Sequence, residues 1–315
     1  MKQLKIAAGI VLYNPDPIRF SACLNSIINQ VDDLYLYDNS EKDYQLSIPS
    51  NVSYIRAGKN KGIATALNEI MKNAQTDGYD WVITLDQDSV LPDDIVKRYR
   101  EEIIGADDKL AIICPQMIDR RQSYMVPKIE PVKEFVSYAI TSACCTSVHA
   151  WRDIGGFDDW LFIDLVDNEF CRRLKIAGYN LLRLNNLIMD HELGNLVLKT
   201  EKVQKFWNKI GKAIHVQSLM KLSFKRNVNP MRIYYTNRNV IYVERKLTHY
   251  GSSIYEDNYN CHNYTQFFVR YNMRRLLRAQ NKKAVWKAIW KGRKDGLAQK
   301  VEPWLYIGVG QDYAE

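Results

Sequence analysis

The stretch DWVITLDQDS (Asp80–Ser89) decides how the rest of the chain reads. Asp80–Leu85 is a short apolar run with β-branched residues at its centre, which predicts a strand buried on both faces. It runs directly into Asp86-Gln87-Asp88. Side chains alternate along extended backbone, so Asp86 and Asp88 point the same way. Two carboxylates converging on one spot repel each other unless a cation lies between them. Hard oxygen donors in a partly hydrated site suit Mg²⁺ or Mn²⁺ holding a diphosphate. Solvated loop charge is the plain alternative for a lone Asp-x-Asp, so the surroundings must decide.

Upstream, KIAAGIVLY (Lys5–Tyr13) is another near-continuous apolar run, bounded by Asn14-Pro15. Pro17 opens a helical stripe of Phe20, Leu24, Ile27 and Ile28. DLYLYDNS (Asp33–Ser40) and VSYIRAG (Val52–Gly58) read as two more strands, and Ile63–Ala74 as a helix. Downstream, a helix begins at Pro92 and LAIICP (Leu110–Pro115) is a fifth strand. Strands alternating with helices at this spacing predict an α/β fold, an open, mostly parallel sheet flanked by helices. Ligands bind such sheets beyond the carboxyl ends of the strands. Three strand ends carry polar turns: Asp38-Asn39-Ser40, Gly58-Lys59-Asn60-Lys61-Gly62 and Asp86-Gln87-Asp88-Ser89. They should cluster, and their company favours the metal reading of the aspartates.

Each turn has its own chemistry. Asp38 can hydrogen-bond a base or ribose, or make an Asx-turn or helix N-cap. Gly58 and Gly62 allow close backbone approach around Asn60, with Lys59 and Lys61 available for phosphate. The loop lacks both GxxxxGK[ST] and GxGxxG, which removes the main support for P-loop and nicotinamide-cofactor readings. Beyond Pro115 the pattern is irregular as far as DIGGFDDW (Asp153–Trp160). Asn168–Tyr179 then reads as a helix with Gly178 as its cap. Asp167 falls just before it or in its first turn, where the macrodipole favours a carboxylate. With Asp164 and Glu169 it forms an acidic group that could accept a proton from an incoming hydroxyl; a capping cluster paired with Arg172 and Arg173 is the plainer reading. Leu181–Gly194 gives one or two short strands ending in Asp190-His191. His191 is a metal ligand, a phosphate contact or a structural histidine. HELGN is not HExxH, because position 195 is Asn.

With 46% hydrophobic and 25% charged residues, the 315-residue chain is neither disordered nor a disulfide scaffold. Its six cysteines lack CxxC or zinc-finger spacing. The start, MKQLKIAAGIVLYNPDP, has too short an apolar run for a span, and no small-residue cleavage site follows. A reduced, cytoplasmic protein is the expectation. Net charge is +8, unevenly spread: residues 1–198 carry 21 Lys/Arg and 28 Asp/Glu, residues 199–315 carry 23 and 8. We therefore expect a catalytic unit over 1–198 and a basic, mainly helical region over 199–315.

In order, IVLYN, YDNS, NKGIATALN, WVITLDQDS, GGFDDWLFIDLVDNEFCRRL and MDHELG resemble the inverting family 2 glycosyltransferases, which have the GT-A fold. LDQDS, FIDLVDNEFCRR and the later IYYTNRNVIY resemble the rhamnosyltransferase subgroup. The resemblance implies a nucleotide-sugar donor, dTDP-rhamnose favoured over a UDP-hexose or another deoxysugar, a glycan or lipid-linked glycan acceptor, and Mg²⁺ or Mn²⁺. It assigns Asp38 to the nucleobase, Asn60 and Gly62 to the nucleotide pocket, Asp86 to ribose or the metal's hydration shell, and Asp88 to the metal. Asp167 falls at the catalytic base, in VDNEFCRRL against the family's EDxDLxxR, with Val166 replacing the first acid and Glu169 matching the second. Asp164 and Glu169 become acceptor contacts, and His191 lies by the metal. In TSACC (Thr141–Cys145) many relatives have Ser-Gly, so Ala143 should narrow the donor side.

The basic region carries two stripes at helical spacing. One is Val203, Phe206, Trp207, Ile210 and Ile214; the other is Val285, Ile289 and Trp290 within KKAVWKAIWKGRK. Basic amphipathic helices edged with Trp suit the anionic inner face of a plasma membrane, while packing on the catalytic unit or a homo-oligomer contact is the alternative. No nucleic-acid motif is present, and the acidic body disfavours that partner. Arg238-Asn239 are expected at the donor diphosphate or the acceptor, with surface charge as the bland reading.

Overall fold

The computed structural model describes residues 4–42, 46–119, 121–122, 124–190, 196–214, 217–251 and 253–306. Strands β1 (Ile6–Leu12), β2 (Asp33–Asp38), β3 (Ser53–Arg56), β4 (Trp81–Asp86), β5 (Leu110–Ile118), β6 (Lys133–Phe135), β7 (Cys144–Ser147) and β8 (Asn180–Asp190) form an eight-stranded sheet ordered β3-β2-β1-β4-β7-β5-β8-β6. Strands β3, β2, β1 and β4 are parallel neighbours, as are β5 and β8, whereas β7 and β6 run antiparallel to theirs. This is the open, mostly parallel sheet of a GT-A-like fold.

Helices α1 (Pro17–Ile27), α2 (Ile63–Thr76), α3 (Ile95–Ile104), α4 (Val148–Asp153) and α5 (Val166–Ile176) flank it. Alternation along β1 divides the core: Ala7 and Val11 join the layer that holds α2, α4 and α5, while Ile6, Ala8, Ile10 and Leu12 join the layer that holds α1 and α3. All seven β1 residues are buried, as an apolar run without alternation requires.

The structure departs from the sequence pattern in several details. The helix placed at Pro92 begins at Ile95, and Leu181–Gly194 resolves as one long strand through Asp190. Strand β7 was missed. It is four residues long and buried throughout, so it shows no alternation, and its Cys-Cys-Thr-Ser composition carries little strand preference. Yet it sits antiparallel between β4 and β5, at the centre of the sheet.

Beyond β8, strands β9 (Leu196–Leu198) and β10 (Phe224–Arg226) pair antiparallel. Between them run α6 (Glu201–Ala213) and the short α7 (Gln217–Met220). A helical bundle follows: α8 (Pro230–Lys246), α9 (Ile254–Tyr259), α10 (Tyr264–Phe267), α11 (Arg274–Arg278) and α12 (Lys282–Ala298). A Cβ on Gly292 would lie 2.4 Å from the Tyr234 carbonyl, and one on Gly296 2.6 Å from that of Arg238, so α12 packs directly on the α8 backbone. Val285 and Ile289 are buried in that contact, whereas Trp290, predicted on the same stripe, is 42% exposed. No helix among the described residues is long and apolar enough to cross a membrane.

Candidate active site

Strand register brings the three polar turns together. Leu12 lies opposite Asp38, Asp38 opposite Arg56, and Val11 opposite Asp86, so β1 to β4 end on one edge. At that edge Asp38 is buried: one carboxylate oxygen accepts from the Ser40 N–H at 2.8 Å, and the other from the Tyr54 hydroxyl at 2.6 Å. The first bond is the Asx-turn that the sequence left open.

Asn39, which the sequence reading passed over, ties two turns together. Its amide donates to the Gly62 carbonyl at 3.0 Å, and its oxygen accepts from the Lys61 N–H at 3.1 Å. Asn60 accepts from the Gly62 N–H at 2.9 Å. Gly62 has φ 88°, and a Cβ there would come within 2.8 Å of the Phe162 backbone, so only glycine suits both its conformation and its space. The Ile63 N–H then donates to the Phe162 carbonyl at 2.8 Å, docking the start of α2 on the segment that leads to α5. Asn68 completes that joint. Its amide reaches the Phe157 carbonyl and Asp159, and its oxygen accepts from Trp151 Nε1 and the Phe157 N–H.

The Asp86-Gln87-Asp88 turn is anchored at its middle. The Gln87 side chain accepts from the Tyr13 N–H at 2.7 Å and donates to the Tyr13 carbonyl, holding the turn to the end of β1. Asp88 is exposed and lies 3.1 Å from Arg19. Among the described residues no group of three His, Cys, Asp or Glu side chains is placed to hold a metal. His191 lies outside the described residues. Two carboxylates at a strand end nevertheless fit Mg²⁺ or Mn²⁺ in the manner of a cation bound through one or two carboxylates plus substrate phosphates, rather than in an all-protein cage.

Thr141 and Ser142, just before β7, join this turn to Asp167. The Asp86 N–H donates to Ser142 Oγ at 3.2 Å, and Ser142 Oγ lies 2.7 Å from Ser89 Oγ. The Thr84 hydroxyl fixes the Thr141 carbonyl at 2.6 Å. Asp167 lies in the first turn of α5 and keeps partial exposure. Withdrawal from water pushes its carboxyl up to about 6, and the Asp86 charge adds to the rise, while hydrogen bonds from Thr141 and Tyr138 oppose it. The Tyr138 hydroxyl lies 3.4 Å from it. A carboxylate so raised is a competent proton acceptor near neutral pH. No charge or pattern marked Thr141, Ser142 or Tyr138 beforehand; only the TSACC departure pointed to the neighbourhood.

The other acidic positions separate. Asp164 carries an ion pair with Arg232 at 2.7 Å and accepts from Thr236 at 3.5 Å; burial raises its carboxyl, against the Arg232 charge. Asp164 and Leu165 have φ of 68° and 63°, two successive left-handed residues ahead of α5. Asn239 holds them there, donating to the carbonyls of Ile163 at 2.8 Å and Asp164 at 2.7 Å.

Glu169, predicted at the acceptor, is fully buried and faces Arg173 through both oxygens at 2.6 and 2.7 Å, with Lys246 at 2.7 Å. Burial would raise its carboxyl, but the two cations outweigh that and hold it at about 2. With no exposed surface it has no route to an acceptor. Ala143 is likewise buried in the core rather than lining a donor pocket, with φ 62° where Gly would be at ease. Arg238 is packed over the Trp160 ring at 3.8 Å and the Tyr235 ring at 4.8 Å, and it donates to the Trp160 carbonyl at 2.8 Å. These contacts make it a brace between α8 and the Gly-Gly-Phe-Asp-Asp-Trp segment.

Residues 9–142 match the sequence model of Glycosyl transferase family 2. The chain is 28% identical over 260 residues to the dTDP-rhamnosyl transferase RfbF of Shigella flexneri, covering 76% of this chain and 80% of that one. Among solved structures it is similar to a mannosyltransferase from Pyrobaculum calidifontis in complex with GDP-Man and Mn²⁺, with TM-score 0.49 and 12% identity, over 94% of this chain and 76% of the other. It is also similar to S. aureus TarS 1-349, with TM-score 0.46 and 13% identity, over 93% and 89%. The family match lies across the strand ends that converge on Asp86, and over residues 9–142 the chain is similar to family 2 glycosyltransferases.

Proposed function

We propose that the chain transfers rhamnose from dTDP-rhamnose to a glycan acceptor, with Asp167 as the base and Asp86 and Asp88 facing the donor diphosphate. The observation that carries the site assignment is the Thr141–Ser142 bridge, which touches both the Asp86 turn and a carboxyl raised to about 6. The 28% identity to a protein named as a dTDP-rhamnosyl transferase supports the donor. A divalent cation bound at Asp86 and Asp88 would offset negative charge on the departing nucleoside diphosphate.

Asp167 takes the proton of the acceptor hydroxyl as that oxygen bonds to the anomeric carbon. The bond from this carbon to the diphosphate oxygen breaks on the opposite face, and the configuration inverts. The leaving group departs as an anion and needs no proton, so one carboxylate suffices. Asp38, Asn60 and Gly62 shape the nucleotide side, and Asp164, with Arg232 beside it, the acceptor side. His191 is the remaining candidate metal contact.

The test is thermal stabilisation by nucleotides and nucleotide sugars, each with and without Mg²⁺ or Mn²⁺. A ligand that binds only the folded state raises the midpoint. The largest metal-dependent shift is expected from dTDP or dTDP-rhamnose; a larger one from UDP ligands would replace the donor and leave the base assignment standing.

A further inference from the structure

The two amphipathic stripes of the basic region meet different fates. That of α12 is spent on α8, with Val285 and Ile289 buried. That of α6 is only partly covered, with Val203, Trp207 and Ile210 half-buried. Val203, Phe206, Trp207, Ile210 and Ile214 fall within an arc of about 100° at the helical repeat. Phe206 is 57% and Ile214 54% exposed, and Gly211 is the one buried residue of the helix. Lys202, Lys205, Lys209 and Lys212 are all exposed and make up the polar side of the helix, with Lys202 and Lys209 nearest the stripe, against a single acid, Glu201. Trp207 stands edge-on to Phe206, 5.2 Å between ring centres. The helix lies between β9 and β10, which pair with each other and not with the main sheet.

We propose that α6 is a membrane-docking helix, which lays Val203, Phe206, Ile210 and Ile214 into the interface of an anionic bilayer with its lysines among the headgroups. Helices of this kind lie in the interfacial plane with the apolar face buried and cations toward acidic lipid. Charge decides the occupant. A second copy of α6 on this face would oppose lysine with lysine, whereas an acidic leaflet complements them. The inference does not rest on the donor or base assignment, because it concerns binding alone.

The full chain is sedimented with vesicles of phosphatidylcholine alone and with vesicles containing a third phosphatidylglycerol. Binding to the mixed vesicles, lost in high salt and absent from neutral ones, is expected. Each lysine near an acidic leaflet is worth roughly fivefold in partition. Lys202→Gln with Lys209→Gln should therefore weaken binding by about 25-fold, and Phe206→Ser with Ile210→Ser should abolish it. Both pairs of changes lie on exposed or half-exposed positions, and an unchanged thermal midpoint identifies variants that still fold. Trp286→Ser with Trp290→Ser, on α12, should leave binding unaltered. No binding to acidic vesicles would overturn the proposal. So would binding that survives the Phe206/Ile210 change or falls with the α12 change, and so would self-association through Phe206 without vesicle binding.

Discussion

Asp167, as the proposed base, is the residue on which rate and stability pull in opposite directions. Its carboxyl, raised to about 6, must be ionised to accept a proton, so kcat/KM should climb with pH up to a limb near 6 and then level. Asp167→Asn should abolish transfer while leaving nucleotide-sugar affinity nearly intact, measured by turnover and by calorimetry. A carboxyl raised on folding makes the folded state bind more protons than the unfolded one between about pH 4 and 6, so stability falls as pH rises through that window. Asp167→Asn should therefore raise the melting temperature at pH 7.5, by an effect on the order of 1–3 kcal/mol, but not at pH 4. Asp88→Ala, by contrast, should weaken metal-dependent donor binding as well as turnover, read from the thermal shift with and without Mn²⁺. The sequence exposed Asp86, Asp88 and Asp167 because charges at strand and helix ends are conspicuous. Thr141, Ser142 and Tyr138 act through hydroxyls and backbone, which no spacing rule singles out. Glu169 was misassigned because its partner Lys246 lies 77 positions away, beyond any local pattern.

Among the elements, the turn into α2 and the turn into α5 hold the site in shape. Gly62→Ala would force a left-handed alanine against the Phe162 backbone, at a cost of about 2–4 kcal/mol, and should weaken nucleotide binding along with the melting temperature. Two left-handed residues precede α5, each costing on the order of 1–2 kcal/mol, and Asn239 from α8 holds both of their flanking carbonyls. Asn239→Ala should thus release the start of α5. We expect a fall in kcat of about tenfold or more with little change in donor affinity, separated by steady-state kinetics and calorimetry. Strands β1, β2, β4 and β5 are legible because buried parallel strands read as apolar runs. Strand β7 is not, since four buried residues of mixed polarity give neither alternation nor a run.

At the scale of the whole molecule, the charge change near residue 198 tells less than the buried contacts that cross it. Lys246 reaches Asp158 at 2.5 Å and Glu169 at 2.7 Å, Tyr242 stacks on Trp160 and donates to Asp158, and Arg238 braces Trp160. Glu169→Gln would leave Arg173 and Lys246 without their buried counter-charge, and should cost about 3–5 kcal/mol in thermal melts at neutral pH. Because the Glu169 carboxyl is held at about 2, its stabilising share is present above its ordinary value of 4.5 and fades as pH falls from there toward 2.

These crossing contacts also constrain how such enzymes can be recombined. A chimera joined at residue 198 would inherit Glu169 and Asp158 from one parent and their lysine from another, and would strand a buried carboxylate wherever the two parents differ. Exchange of acceptor preference between relatives should succeed only when the cassette carries the segment from Gly155 to Lys246 as one piece, so that the helix bracing the proposed base travels with it.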